Sequence, residues 1–147
     1  MDKVKSRIIL IGRSGAGKTT LCQAINEQDI KYHKTQTVQV YNQKMIDTPG
    51  EYLERRKYRG ALMVASTDAG TILFVQDATE DGTMFPPNYS STFTKPVIGV
   101  VTKCDLADKT QIENAKKYLN FAGVKRIFET SSIDGDGITI LTEYIGL

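Results

Sequence analysis

The run Ile8-Ile9-Leu10-Ile11 passes directly into Gly12-Arg13-Ser14-Gly15-Ala16-Gly17-Lys18-Thr19. Four consecutive apolar residues read as a buried strand, and the glycines that follow stop either regular structure from continuing. A turn needs one or two glycines. Three at this spacing, closed by Lys18 and Thr19, fit the pattern G-x-x-x-x-G-K-[ST]. In such a loop the glycines let the backbone wrap closely and turn its N–H groups inward. The helix that follows presents its positive end to an anion. Arg13, Ser14, Ala16 and Thr20 complete the candidate phosphate-binding segment. Lys18 is placed to reach the outer phosphates, which makes it a candidate catalytic residue, and the Thr19 hydroxyl to reach Mg²⁺.

The rest of the chain alternates between the two periods. Buried-strand runs are expected at Ser6–Ile11, Thr71–Gln76 and Val97–Thr102, with a further strand at Arg126–Thr130. Helices are expected at Gly17–Glu27, Arg55–Ala65, Thr110–Phe121 (capped by Thr110 or Asp108) and Ile138–Ile145. Thr37–Tyr41 and Lys44–Asp47 read as a hairpin across Asn42-Gln43. Pro86, Pro87 and Pro96 leave 80–96 rich in loops. This order predicts an α/β, three-layer P-loop NTPase domain over 1–147. Its six-stranded sheet would be mostly parallel, with one antiparallel edge strand.

Composition narrows the function. A net charge of +2 is too small to argue for nucleic acid or an acidic membrane surface, so neither is expected as a partner. No apolar run approaches a membrane span, and Met1–Ser6 lacks the apolar core of a secretion signal, which makes the cytoplasm the expected location. Two cysteines, Cys22 and Cys104, make neither a disulfide framework nor a metal set. His33 is the single histidine and reads as a loose, exposed side chain.

In an open α/β sheet, ligands bind at the carboxyl ends of the strands, and three more polar motifs fall there. Asp47-Thr48-Pro49-Gly50 ends the strand Lys44–Asp47, Thr102-Lys103-Cys104-Asp105 the strand Val97–Thr102, and Thr130-Ser131-Ser132 the last strand. A carboxylate at Asp105 offers two acceptors to the N1–H and exocyclic amine of guanine; adenine presents no such pair of donors.

With these motifs the sequence resembles the Ras-like GTPases. The resemblance implies that Asp47 reaches Mg²⁺ through water and that the Gly50 N–H contacts the γ-phosphate. It makes the Thr102–Asp105 string the counterpart of Asn-Lys-x-Asp, with Lys103 along the base plane, and Thr130-Ser131-Ser132 the counterpart of the Ser-Ala-x loop, with Ser131 beside the nucleotide and Ser132 supplying an N–H to guanine O6. Thr102 stands where the family has Asn, and its shorter side chain is expected to weaken the tie to base and loop. The third Mg²⁺ ligand is Thr35 or Thr37, with Thr35 preferred as the loop residue. Glu51 stands where many relatives carry a water-orienting Gln; it is a candidate catalytic residue that could accept from the attacking water, and the alternative is a solvent-facing side chain. Ser14 replaces a glycine that admits an arginine finger, and Gly15 an asparagine found in potassium-stimulated relatives. Arg55-Arg56-Lys57-Tyr58-Arg59 reads as a solvated helix face, with partner docking or an arginine supplied in cis as the functional alternative.

A narrower resemblance is carried by Lys34-Thr35-Gln36, Ile46–Glu54, Gln76-Asp77-Ala78-Thr79 and Phe85-Pro86-Pro87. These strings are similar to the EutP/PduV proteins of ethanolamine and propanediol utilisation. That likeness implies a compact Ras-like domain linked to a catabolic microcompartment; with the motifs above, the expectation is a Mg²⁺-dependent GTP/GDP-binding protein with slow GTPase activity. A shell or enzyme partner would be contacted through the switch regions. Two alternatives go with it: an ATP-using phosphotransferase of the acetate kinase kind, since that activity has been assigned to some members, and a microcompartment binding module with little turnover.

Overall fold

A computed structural model describes residues 7–33, 45–132 and 134–146, with the side chains of 28–33 outside the description. Among the described residues five strands form one sheet, in the order β2-β1-β3-β4-β5. They are β1 (Ile8–Ile11), β2 (Met45–Asp47), β3 (Thr71–Asp77), β4 (Val97–Thr102) and β5 (Ile127–Glu129), and every pairing between them is parallel. The sixth, antiparallel strand expected at 37–41 lies outside the described residues, as do Thr35 and Thr37.

Alternation along the strands decides what each face of the sheet buries. Ile8 and Leu10 of β1, Leu73 and Val75 of β3, and Ile98 and Val100 of β4 pack with Leu21 and Ile25 of α1 (Lys18–His33). Ile138 and Leu141 of α5 (Ile138–Tyr144) complete this cluster. Ile9, Ile11, Ile72, Phe74 and Val101 point the other way. They meet Leu53 of α2 (Glu51–Glu54), Leu62 of α3 (Arg59–Ser66), and Ala115 and Leu119 of α4 (Lys109–Phe121). The outcome is helix, sheet and helix in three layers.

Local chemistry explains several boundaries. Asp108 caps α4, its carboxylate accepting from the Gln111 N–H while the Gln111 side chain accepts from the Asp108 N–H; Thr110 is not the cap. Helix α1 runs on to His33, beyond the expected end at Glu27, because no Gly or Pro interrupts residues 28–33. His33 therefore closes a helix. The single helix expected over Arg55–Ala65 is instead two. Helix α2 starts directly after Gly50, Arg55 is extended (φ −110°, ψ 118°), and a 3-10 turn at Arg56–Tyr58 leads into α3. The proline-bearing segment 80–96 holds only a 3-10 turn, Tyr89–Thr92. It is pinned by aromatic packing, with Phe85 stacked on Phe74 at 4.6 Å and Tyr89 and Phe93 against the same ring.

Because all five strands are parallel, their carboxyl ends share one edge. The phosphate-loop candidate after β1, Asp47 at the end of β2, Asp77 at the end of β3 and the Thr102–Asp105 string after β4 all lie there.

Candidate functional site

The glycine-rich loop joins β1 to α1, as the strand–loop–helix reading requires. Gly15 and Gly17 adopt positive φ (81° and 96°), which lets the loop curl without steric cost. Gly12 faces β3 so closely that a Cβ would lie 2.7 Å from the Val75 carbonyl oxygen. Under the loop, Lys18 is 6% exposed and its ammonium donates to the Arg13 carbonyl at 3.0 Å. Burial lowers its pKa, opposed by the carboxylates of Asp47 and Glu54. A desolvated ammonium held at the start of a helix has strong reason to pair with an incoming anion.

Thr19 is the next residue, and its hydroxyl donates to the Asp47 carboxylate at 2.5 Å. Both side chains are exposed on the loop edge. A hydroxyl and a carboxylate are hard oxygen donors that suit a small divalent cation keeping several waters. Among the described residues no group of three His, Cys, Asp or Glu could hold a metal by itself.

At the other end of the loop lies a recess of about 130 Å³ lined by Gly17, Thr20, Thr102, Lys103, Asp105, Leu106 and Ser132. Five of the predicted base-contacting or loop residues therefore come together with Thr20. Asp105 is exposed in a 3-10 turn, Cys104–Leu106, that begins directly after Lys103. Lys103 itself takes the left-handed conformation (φ 60°), a strained backbone for a non-glycine residue. Its ammonium compensates by bridging the Gly15 carbonyl (2.8 Å) and the Asp77 carboxylate (2.9 Å). Asp77 also accepts from the N–H and hydroxyl of Thr79. Burial alone would raise its pKa, but these bonds hold it below the usual aspartate value.

The expectation that Thr102 weakens the tie to the loop is corrected. Its hydroxyl donates to the Ala16 carbonyl at 2.6 Å, and both residues are buried. A short side chain reaches because the loop packs directly on the end of β4, with Gly17 3.5 Å from the hydroxyl once a Cβ is built on it. Ser131 does not line the recess. It is buried, and its N–H and carbonyl are engaged by Asp136 and Gly135, which folds the segment after β5 back on itself and leaves Ser132 at the wall.

Around the second motif, Gly50 lies hard against the loop: a Cβ there would collide with the backbone N and Cα of Ser14. Glu51 opens α2 and is exposed, with no partner for its carboxylate among the described residues, while Leu53 is buried. Two acidic residues outside the predicted set do touch the loop. Glu54 accepts from the Ser14 N–H at 2.6 Å, and Glu80 accepts from the Arg13 guanidinium at 2.7 Å. Leu106, an apolar wall of the recess, was likewise not singled out. The basic run is partly engaged: Arg59 donates to the Leu53 carbonyl at 2.9 Å and Lys57 lies over the Tyr58 ring. Burial pushes the Cys22 thiol up to about 12 and raises that of Cys104, so neither is a nucleophile near neutral pH.

The model of one protein family, PduV-EutP, described as ethanolamine utilisation – propanediol utilisation, matches residues 5–147. The chain is 39% identical over 132 residues to propanediol utilization protein PduV of Citrobacter freundii, covering 90% of this chain and 87% of that one. It is 30% identical over 140 residues to the "Probable acetate kinase EutP" of Escherichia coli K12, covering 95% and 88%. Among solved structures it superimposes on the FeoB G-domain of Methanococcus jannaschii (TM-score 0.66, 23% identity, 95% and 94% covered). It also superimposes on translation elongation factor SelB of Methanococcus maripaludis in complex with the GTP analogue GPPNHP (TM-score 0.67, 22% identity). That match covers 99% of this chain and 34% of SelB, so the chain spans about a third of the factor's length. The fold is that of the P-loop GTPases. No helix among the described residues is long and apolar enough to cross a membrane.

Proposed function

The chain belongs to the PduV-EutP family, and from that premise we propose that it is a Mg²⁺-dependent GTP-binding protein with slow GTPase activity, accessory to ethanolamine or propanediol catabolism and its microcompartment. The observation that carries the reading is the recess beside the loop, which Asp105, Lys103 and Ser132 line together with Gly17 and Thr20. A carboxylate facing the donor edge of guanine, on a loop built for phosphate, selects the base by the donors it offers.

In this reading the inward N–H groups of residues 13–18 and the Lys18 ammonium neutralise the phosphates. Two of these donors already have partners, the Ser14 N–H on the Glu54 carboxylate and the Ala16 N–H on the Arg13 carbonyl, so a phosphate would exchange for the first of them. Thr19 and Asp47 would hold Mg²⁺, with Thr35 or Thr37 as a further ligand; when bound, the ion would neutralise phosphate charge. Lys103 keeps Gly15 in place through its bond to that carbonyl. Glu51, exposed at the start of α2, is free to accept from an attacking water but cannot donate to the γ-phosphate, which fits slow turnover.

The test is to measure affinities for GTP, GDP and ATP with Mg²⁺, then phosphate release with and without acetate. Tight GTP and GDP binding, weak ATP binding and slow phosphate release support the proposal; ATP bound as tightly as GTP overturns it.

A second reading, transfer of the terminal phosphoryl group to a small carboxylate, is prompted by the name of the E. coli relative. The site it would need lies in a recess of about 220 Å³ beside the loop, lined by Arg13, Asp77 and Glu80 among others, where a carboxylate acceptor would have to displace Glu80 from Arg13. The larger cleft, about 490 Å³ between Thr71, Pro96 and Arg126, sits at the opposite edge of the sheet and is too far from the loop to receive a phosphoryl group. Acetyl phosphate formed in the acetate arm of the assay would favour this reading.

A further inference from the structure

Glu54 makes a contact that the nucleotide reading leaves unexplained. Its carboxylate accepts from the backbone N–H of Ser14, one of the donors that a phosphate loop keeps for its ligand. The position is held from both sides. Leu53, the preceding residue, is buried, its carbonyl accepts from Arg59, and Gly50 at the start of the same turn packs against Ser14 itself. The Arg13 guanidinium makes its direct ion pair with Glu80 and, like the Lys18 ammonium, acts on Glu54 only as a nearby charge. The Ser14 bond holds the Glu54 pKa below its ordinary value, so the group is charged at neutral pH.

The direction along the loop identifies which phosphate this amide faces. The base recess is lined by Gly17 and Thr20, at the helix end of the loop. Ser14 lies at the other end, against Gly50 and on the strand side; in the guanine-nucleotide reading the phosphates run from the recess toward it. We propose that Glu54 discriminates nucleoside triphosphate from diphosphate: its carboxylate takes the place of a terminal phosphate oxygen on the Ser14 amide, so that a triphosphate must displace it and a diphosphate leaves it seated. Two anions compete for one donor, and the like charges disfavour their coexistence. Displacement by a triphosphate would release α2 from the loop, and loss of the γ-phosphate would let it return. The proposal rests on the guanine-nucleotide reading of the loop.

The experiment compares Glu54→Gln and Glu54→Ala with the parent chain, using Mg²⁺, GDP and a non-hydrolysable GTP analogue. Glu113→Gln, on α4 and away from the loop, serves as the control for net charge. Affinity for the triphosphate analogue should rise about tenfold in both Glu54 variants while that for GDP stays within about twofold, since only the triphosphate meets the carboxylate. The glutamine keeps the bulk and fold of α2, so the result does not depend on the alanine variant folding. Equal changes for both nucleotides, no change for either, or weakened analogue binding overturns the role of Glu54. If parent and variants alike bind neither nucleotide, the guanine-nucleotide reading fails, which is a different result from an unchanged ratio.

Discussion

The Thr102 hydroxyl donates to the Ala16 carbonyl at 2.6 Å, which ties the end of β4 to the centre of the phosphate loop. Because both residues are buried, water cannot replace the bond if it is lost. Thr102→Val keeps the shape and removes the donor. It should cost about 1–3 kcal/mol, seen as a melting temperature lower by roughly 3–8 °C. Nucleotide affinity should fall about tenfold as the loop loosens. Thr102→Ser retains the hydroxyl and should recover most of the affinity. Thermal unfolding and nucleotide titration of the two variants check this, and equal affinities in both would remove the bond from the argument.

Lys18 sets function against stability. Its side chain is buried, its ammonium donates to the Arg13 carbonyl, and burial disfavours its charged form. Lys18→Met fills the same space without the charge. The variant should lose nucleotide affinity by at least about a hundredfold. Without nucleotide it should melt a few degrees higher than the parent, on the order of 2–5 °C, because a desolvated charge has gone. Calorimetry in the absence and presence of nucleotide separates the two effects.

Acid should loosen the site before it unfolds the sheet. Glu54 is held below its ordinary 4.5 by the Ser14 bonds. Asp77 is held below its ordinary 3.8, the bonds from Thr79 and Lys103 outweighing burial. For a carboxylate depressed by folding, the unfolded chain binds the proton first. The stability these groups contribute is therefore complete above the ordinary values and is lost as pH falls through the folded ones. Melting temperature should decline below about pH 4.5. The decline should be shallower in Asp77→Asn, which surrenders its contribution at every pH. Urea unfolding of parent and variant from pH 6 to pH 3 measures the difference in slope.

The fold and much of the candidate site were legible in local sequence patterns, because each motif follows an apolar run and parallel strands carry such motifs to one edge. Gly12–Thr19, Asp47 and Thr102–Asp105 needed only the strand before them to be located. What escaped was of two kinds. Arg55 breaks the helix without a Gly or Pro to mark it, so α2 and α3 read as one. The contacts of Glu54 with Ser14 and of Glu80 with Arg13 join residues far apart in the chain, and nothing in their own neighbourhoods shows where those carboxylates turn. The Thr102 bond failed for a third reason: its reach depends on how closely the loop packs on β4, a distance that side-chain length alone does not give.

Asp105 provides the sharpest test of base choice. It is exposed on a 3-10 turn, so its replacement should leave stability within about 0.5 kcal/mol. Asp105→Asn keeps the size but turns one acceptor into a donor. That donor would face the N1–H or exocyclic amine of guanine, and two donors cannot pair. GTP and GDP affinity should drop about a hundredfold while that for ATP changes by less than about threefold, which erases the preference. Competition of unlabelled nucleotides against a fluorescent guanine nucleotide bound to the parent, with direct titration of the variant, reads both numbers. Should the variant bind GTP as the parent does, the carboxylate would not be the selecting group, and selection would then fall to the backbone N–H at Ser132, which lines the same recess.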